Sequence, residues 1–185
     1  MSSLISAHHA IFRKIDNAGD WLLPTLGRFV FASVLLVYFW AAGVTKLGDG
    51  PFGLFSPSAG AYAQIFPRAL ENVGYDISQM GWFNWAIVVA GTLAEFILPA
   101  LVVIGLLTRL AALGMIGFVT VMSLTDLYGH GGIAHKETLG VMFDRIANGA
   151  ILDQRMLWVF LLLVLVVKGA GPLSLDRLLA RRGGS

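Results

Sequence analysis

Cysteine is absent from this chain of 185 residues and charge is scarce, with Asp, Glu, Lys and Arg together making up 13% of it. The first absence removes disulfides, thiol catalysis, Cys-ligated iron–sulfur clusters and Cys-type zinc sites. The second removes the soluble globular class, in which about a quarter of residues are charged. A net charge of +2, spread without a basic stripe, offers nothing to nucleic acid. No P-loop, glycine-rich nucleotide fingerprint or nucleophile–base constellation is present, so nothing reads as a soluble enzyme site. No histidine lies inside an apolar run, which argues against haem. A cleaved signal peptide fits poorly, because Asp16 and Asp20 follow Arg13 and Lys14 and no small-x-small cleavage site follows the apolar run.

What is present is apolar: 57% of residues are hydrophobic and the mean hydropathy is +0.76. The most informative stretch is Trp82 to Arg109. Between Asp76 and Arg109 lie 32 residues, of which Glu95 alone is charged. A hydrocarbon core about 30 Å thick needs roughly 20 apolar residues in a helix. Trp82 and Trp85 suit one interface and Arg109 the other. Glu95 then lies about 20 Å from each end at ~1.5 Å per residue, in the middle of the membrane.

Phe29 to Thr45 is a run of 17 uncharged residues between Arg28 and Lys46, both read as interfacial anchors. Leu110 to Leu124 follows the tight Gly105-Leu-Leu-Thr108-Arg109 link, with Gly114, Gly117 and the Ala111-Ala112 pair allowing close helix approach. Met156 to Val167, between Arg155 and Lys168, is short for a span, and a re-entrant segment is its rival. Pro99 lies four residues after Glu95 and cannot donate to that carbonyl. The expected fold is all-α: a membrane four-helix bundle in one domain, 1–185, with spans of about 26–46, 83–107, 110–127 and 153–170. Short interfacial amphipathic helices are expected at 1–17, from the spacing of Leu4, Ile11, Ile15 and Ala18, and after Pro172. Gly48 to Gly81 is expected to lie over the bundle as a lid. Within it Ser56-Pro57 reads as a helix start, Pro67 as a break and Gly74 as a stop.

Four spans put both termini on one side. That side holds Arg13, Lys14, Arg28, Arg109, Lys168, Arg177, Arg181 and Arg182, and the other Lys46, Arg68, Lys136, Arg145 and Arg155. The positive-inside rule places both termini in the cytoplasm and both long loops outward, to the periplasm if the membrane is the inner membrane of a Gram-negative bacterium.

An acid at mid-bilayer is costly unless paired or neutral, so Glu95 is expected to face the bundle interior. Burial favours its protonated form, which could donate to Tyr38 or Thr120 at similar depth. A proton relay, the polar anchor of a quinone-like ligand, and an interhelical hydrogen bond that fixes register are the readings left open. Arg28 and Lys46 join Glu95, Tyr38 and Thr120 as ligand or relay candidates, with Arg28 also able to pair with Asp20 or a lipid phosphate. Asp126, His130 and His135 form a second, weaker candidate, an N/O set of the kind divalent metals accept. The plainer account of it is a solvated glycine-rich loop.

Leu26-Gly-Arg28, Gly43-Val-Thr-Lys46, Glu95 in the second span and Gly105-Leu-Leu-Thr-Arg109-Leu-Ala-Ala112 together resemble the DoxX family of small four-helix membrane proteins. Lys168-Gly-Ala-Gly-Pro-Leu-Ser-Leu-Asp176-Arg177 is similar to that family's close. Gly149-Ala-Ile-Leu-Asp-Gln-Arg155 resembles a subset associated with metal stress. The resemblance implies an accessory role beside quinone-linked oxidoreductases, thiosulfate oxidation included, or in oxidative-stress complexes. It makes the chain at most the membrane subunit of such an enzyme. With no redox group of its own, the chain would need a bound quinone, or a membrane or periplasmic protein partner carrying electrons. Homo-oligomer formation is left open. The alternative from the residues alone is a small metal-handling or transport protein using the Asp126/His130/His135 loop.

Overall fold

The computed structural model describes residues 2–182, and the regular structure among them is entirely helical. Helix α1 (Ser2–Phe31) passes through a wide π turn at Ala32–Leu36 into α2 (Val37–Lys46) without a break. Two short helices follow, α3 (Ala59–Ile65) and α4 (Pro67–Asn72). Then come α5 (Trp82–Ile104) and α6 (Thr108–Leu124), the latter prolonged by a π turn at Thr125–Gly129. After α7 (Lys136–Leu139), a third π turn at Ala150–Arg155 opens α8 (Met156–Lys168), and α9 (Leu175–Arg182) closes the chain.

Four stretches are long and apolar enough to cross a membrane: His8–Lys46, Trp82–Ile104, Thr108–Gly129 and Ala150–Lys168. The first corrects the expectation of a separate amphipathic helix over 1–17, because residues 2–17 belong to the same helix as the span. Its 39 residues reach about 58 Å at ~1.5 Å per residue, well beyond the hydrocarbon core. Pro24 lies inside it. Proline removes one backbone donor there, and the hydroxyl of the next residue, Thr25, donates to the Trp21 carbonyl one turn back at 2.6 Å. The fourth stretch is 19 residues long because Arg155 lies within it rather than at its edge.

The main core joins all four spans. Phe31, Leu35 and Phe39 meet Val102 of α5, Ala111, Ala112, Met115 and Val119 of α6, and Leu162 and Leu165 of α8. Small residues set how closely the helices approach. A methyl added at Gly43 would lie 2.8 Å from the Phe96 ring, and one at Gly114 would lie 3.0 Å from Leu98. Gly117 corrects the expectation made for it, since nothing lies within 4 Å of its would-be Cβ. It leaves space instead of letting a neighbour in.

Over one end of the bundle, Ala61, Tyr62 and Leu70 pack on Val88 of α5, with Ile65 and Phe66 beside them. Ser58, not Ser56, is the helix start. Its hydroxyl accepts from the Ala61 N–H and donates to the Thr45 carbonyl, while its own N–H meets the Lys46 carbonyl. One side chain thus caps the beginning of α3 and ties it to the end of α2. The break at Phe66 before Pro67 and the left-handed Gly74 (φ +62°) stand where the sequence puts them.

At the opposite end Arg28 and the segment after α8 lock the α5–α6 link. Gly105 takes φ +72°, and both its N–H and that of Leu106 return to the Leu101 carbonyl, closing α5. The Arg28 guanidinium donates to the carbonyls of Val102 and Val103 in that last turn, and to those of Ala170 and Leu173 beyond α8. This replaces the expected pairing of Arg28 with Asp20, whose carboxylate instead holds Lys168 at 2.8 Å. Asp176 of α9 accepts from the N–H groups of Leu107 at 2.7 Å and Thr108 at 3.0 Å, capping α6 from a distant part of the chain. A cation thus faces the negative end of one helix and an anion the positive end of the next.

Burial alone would raise the Asp176 pKa, but the N–H donors of Thr108 and Leu107 and the Arg28 charge outweigh it and hold the carboxyl below its ordinary value. A carboxyl depressed by folding contributes stability above its unfolded pKa of about 4 and loses it as the pH falls through the folded value. The thermal midpoint of the wild type should therefore fall below about pH 4. Asp176→Asn should already be lowered at pH 7 and should lack that part of the acid transition. A wild-type midpoint and acid profile in the variant would show that the cap carries no stability.

Candidate functional site

The end of the bundle beneath α3 holds a cavity of about 500 Å³, open along the spans where Tyr38, Gly117 and Val121 are exposed, and within the size range of small-molecule sites. Its walls are apolar or small: Phe39 and Ala42 of α2, Ala90, Gly91 and Ala94 of α5, and Gly114, Gly117 and Phe118 of α6. Gln64 and Ile65 of α3 complete its lining.

Two ion pairs line this space. Lys46 Nζ donates to Glu95 Oε1 at 2.9 Å, with the two side chains 6% and 4% exposed. The ammonium also donates to the Ala42 carbonyl at 3.2 Å, while Glu95 Oε2 is buried with no partner. Arg155 pairs with Asp126 through Nη2 and donates to the Ser123 hydroxyl from Nη1 at 3.1 Å. Asp126 and Arg155 both sit on π turns, where the extra residue per turn re-aims side chains. At the rim, His130 Nε2 donates to the Gln64 carbonyl at 3.1 Å, which ties the third span to the lid.

Local chemistry explains the first pair. Gly43 lies one turn before Lys46 and has no side chain to hold α2 off the Phe96 ring, so the two helices close up. The Trp40 indole N–H fastens the same contact by donating to the Phe96 carbonyl at 3.1 Å. Lys46 then reaches Glu95 one residue along α5. At the end of α2 this lysine turns inward, against the expectation that it would run out to the interface.

Of the other residues singled out from the sequence, Tyr38 lines the cavity with its ring against Phe39 and Trp158. Glu95 bonds neither Tyr38 nor Thr120. Thr120 is exposed and donates to the Ile116 carbonyl within its own helix. Arg28 belongs to the other end of the bundle. Asp126, His130 and His135 do not assemble. Asp126 is taken by Arg155 and His130 by Gln64, His135 is exposed, and no metal-holding group of three or more His, Cys, Asp or Glu occurs among the described residues. Arg155, Ser123 and Gln64 were not anticipated. The signal for Arg155 was the shortness of the apolar run it appeared to end.

These features define a small integral membrane protein: four membrane-length helices around a cavity with buried ion pairs in an otherwise apolar wall. The DoxX family model matches residues 24–126, more than half of the sequence, and the chain belongs to the DoxX family. The matched stretch contains Arg28, Lys46, Glu95 and Asp126 and ends before Arg155 and Asp176. No curated protein and no solved structure matches the chain.

Removing one member of a buried ion pair strands the other charge at a cost of about 3–5 kcal/mol, whereas replacing both by apolar groups is often neutral. Lys46→Met should therefore lower unfolding stability in detergent by about that amount. Lys46→Met/Glu95→Leu should recover most of it. Equal stability of wild type and Lys46→Met would mean that the pair carries no structural weight.

Proposed function

We propose that this DoxX family protein is a ligand-binding accessory component of a quinone-linked redox or stress-response system in the bacterial inner membrane, with both termini cytoplasmic. The observation that carries the reading is the unpartnered Glu95 Oε2, buried in the wall of a cavity that is otherwise largely apolar. A buried acceptor without a donor costs about 1–3 kcal/mol, more when charged, and a ligand hydroxyl or a shared proton would remove that cost. The ammonium of Lys46 uses two of its three N–H bonds on Glu95 and Ala42, leaving one for a ligand carbonyl.

A quinone, when bound, supplies two-electron and two-proton chemistry. Around it the chain's own residues would act as a holder. Lys46 and Glu95 offer a donor and an acceptor side by side, and Tyr38, Phe39 and Phe118 present ring surfaces. Ile87 and Val121, also on the lining, are exposed along the spans and give a lipophilic molecule an approach from the bilayer. Electrons would come from a membrane or periplasmic protein partner, since the chain offers no redox centre of its own. The orientation rests on the excess of Lys and Arg on the side of the termini.

Purification in mild detergent, followed by lipid extraction, tests the reading. Wild-type protein should retain an isoprenoid quinone close to one per chain. Lys46→Met/Glu95→Leu should retain at least about tenfold less, the equivalent of ~1.4 kcal/mol, while remaining folded. Equal retention by both proteins, or none by the wild type even after quinone is added back, would overturn it.

A further inference from the structure

A second groove lies at the other end of the bundle, outside everything proposed for the cavity. It has a volume of about 450 Å³ and is formed where α6 begins, α8 ends and α9 crosses them, with Arg109, Lys168 and Arg177 on its lining. We propose that this groove binds the phosphate headgroup of an anionic phospholipid.

The position follows from the spans. Thr108 opens one membrane-length helix and Lys168 closes another, so the groove lies at headgroup depth. Its charge is held in place rather than swept over the surface. Arg109 lies flat on Gly169, whose would-be Cβ stands 3.3 Å from Nε, and one guanidinium nitrogen reaches the Val167 carbonyl at 3.3 Å. That bond neutralises nothing, and the remaining N–H groups can form the paired contacts that guanidinium makes with phosphate. The Arg177 side chain has no carboxylate partner among the described residues. Lys168 has one, the exposed Asp20.

The carboxylate facing the groove is that of Asp176, and both of its oxygens already accept from the backbone of Leu107 and Thr108. A zwitterionic headgroup would bring its own ammonium among three cations, where the lining carboxylate of Asp176 is engaged by backbone and Asp20 is shared with Lys168. An anionic one meets no such repulsion. Exposed aliphatic side chains adjoin the groove, Leu110 at 65% and Val167 at 69%, and give acyl chains a surface to follow. Basic pockets between membrane helices bind anionic headgroups by this combination.

The test uses the full chain in bilayer discs containing equal phosphatidylglycerol and phosphatidylcholine, with retained lipid read by native mass spectrometry. Wild type should retain phosphatidylglycerol preferentially. Arg177→Gln should reduce that preference about fivefold and Arg109→Gln/Arg177→Gln about thirtyfold. Arg13→Gln/Lys14→Gln, cations of the same face outside the groove, should leave it unchanged. Arg177→Gln removes an exposed side chain with no bonded partner among the described residues, so its result does not depend on a folding defect. Millimolar inorganic phosphate should fail to displace the lipid, and displacement would assign the groove to a free anion instead. Equal retention of the two lipids by wild type, or an unchanged preference in both groove variants, would also overturn the proposal.

Discussion

The buried contact between Lys46 and Glu95 sets the terms for the rest of this molecule. A charged side chain within a membrane-spanning helix costs up to about 2.5–3.5 kcal/mol on insertion scales, and the cost falls when the group is turned into protein and paired. Turning it inward requires helices around it. Pairing it requires another helix to bring a cation to the right depth. The structure meets both demands with the end of one span and the middle of the next, residues 49 positions apart in the chain. Gly43, Phe96 and Trp40 belong to the same arrangement, since they fix the approach of α2 to α5 without which the ammonium would not reach. A buried ion pair is weak evidence for stability in itself. Its stronger consequence is register: sliding either helix by one residue would rotate its charge about 100° away from its partner.

Register in turn needs fixed helix ends, and the far end of the bundle supplies them. A helix terminus leaves four backbone groups without partners, and in a membrane these have little water to turn to. Arg28 takes the last carbonyls of α5, while Asp176 takes the first N–H groups of α6. Gly105 stands between them because its φ of +72° and the nearness of Ser174 and the Arg28 guanidinium leave no room for a side chain. The link that reads in the sequence as a tight turn is therefore a three-way junction of first span, hairpin and tail.

How much of this was legible follows from what kind of signal each feature leaves. Glu95 stood out because it is the sole charge in a long apolar stretch, and its burial followed from the cost of any other placement. The spans were legible for the same reason. Lys46 and Arg155 were misread by one rule: a cation at the edge of an apolar run is taken for an interfacial anchor. Both turn inward, and for Arg155 the partner is 29 residues away, a separation no local pattern encodes. The acceptors of Arg28 are main-chain carbonyls, which carry no residue-type signature at all. The contacts of Asp126 and His130 were hidden on the same ground, because spacing could not show that Arg155 and the Gln64 carbonyl engage them across the fold.

The glycines act in two opposite ways around the cavity. Gly43 and Gly114 are clamped by Phe96 and Leu98, so small residues here can be used to bring helices together. Gly117, one turn from Gly114 on the same helix, faces open space. It is exposed where it lines the cavity, as are Tyr38 and Val121, so that side of the space opens along the spans. The lining there is apolar or small, while Lys46, Glu95, Asp126 and Arg155 bring charge to the same space. The proposed occupant, with a hydrophobic body and a polar group, answers to that division: its body would lie along the open apolar side and its polar group would reach Lys46 and Glu95.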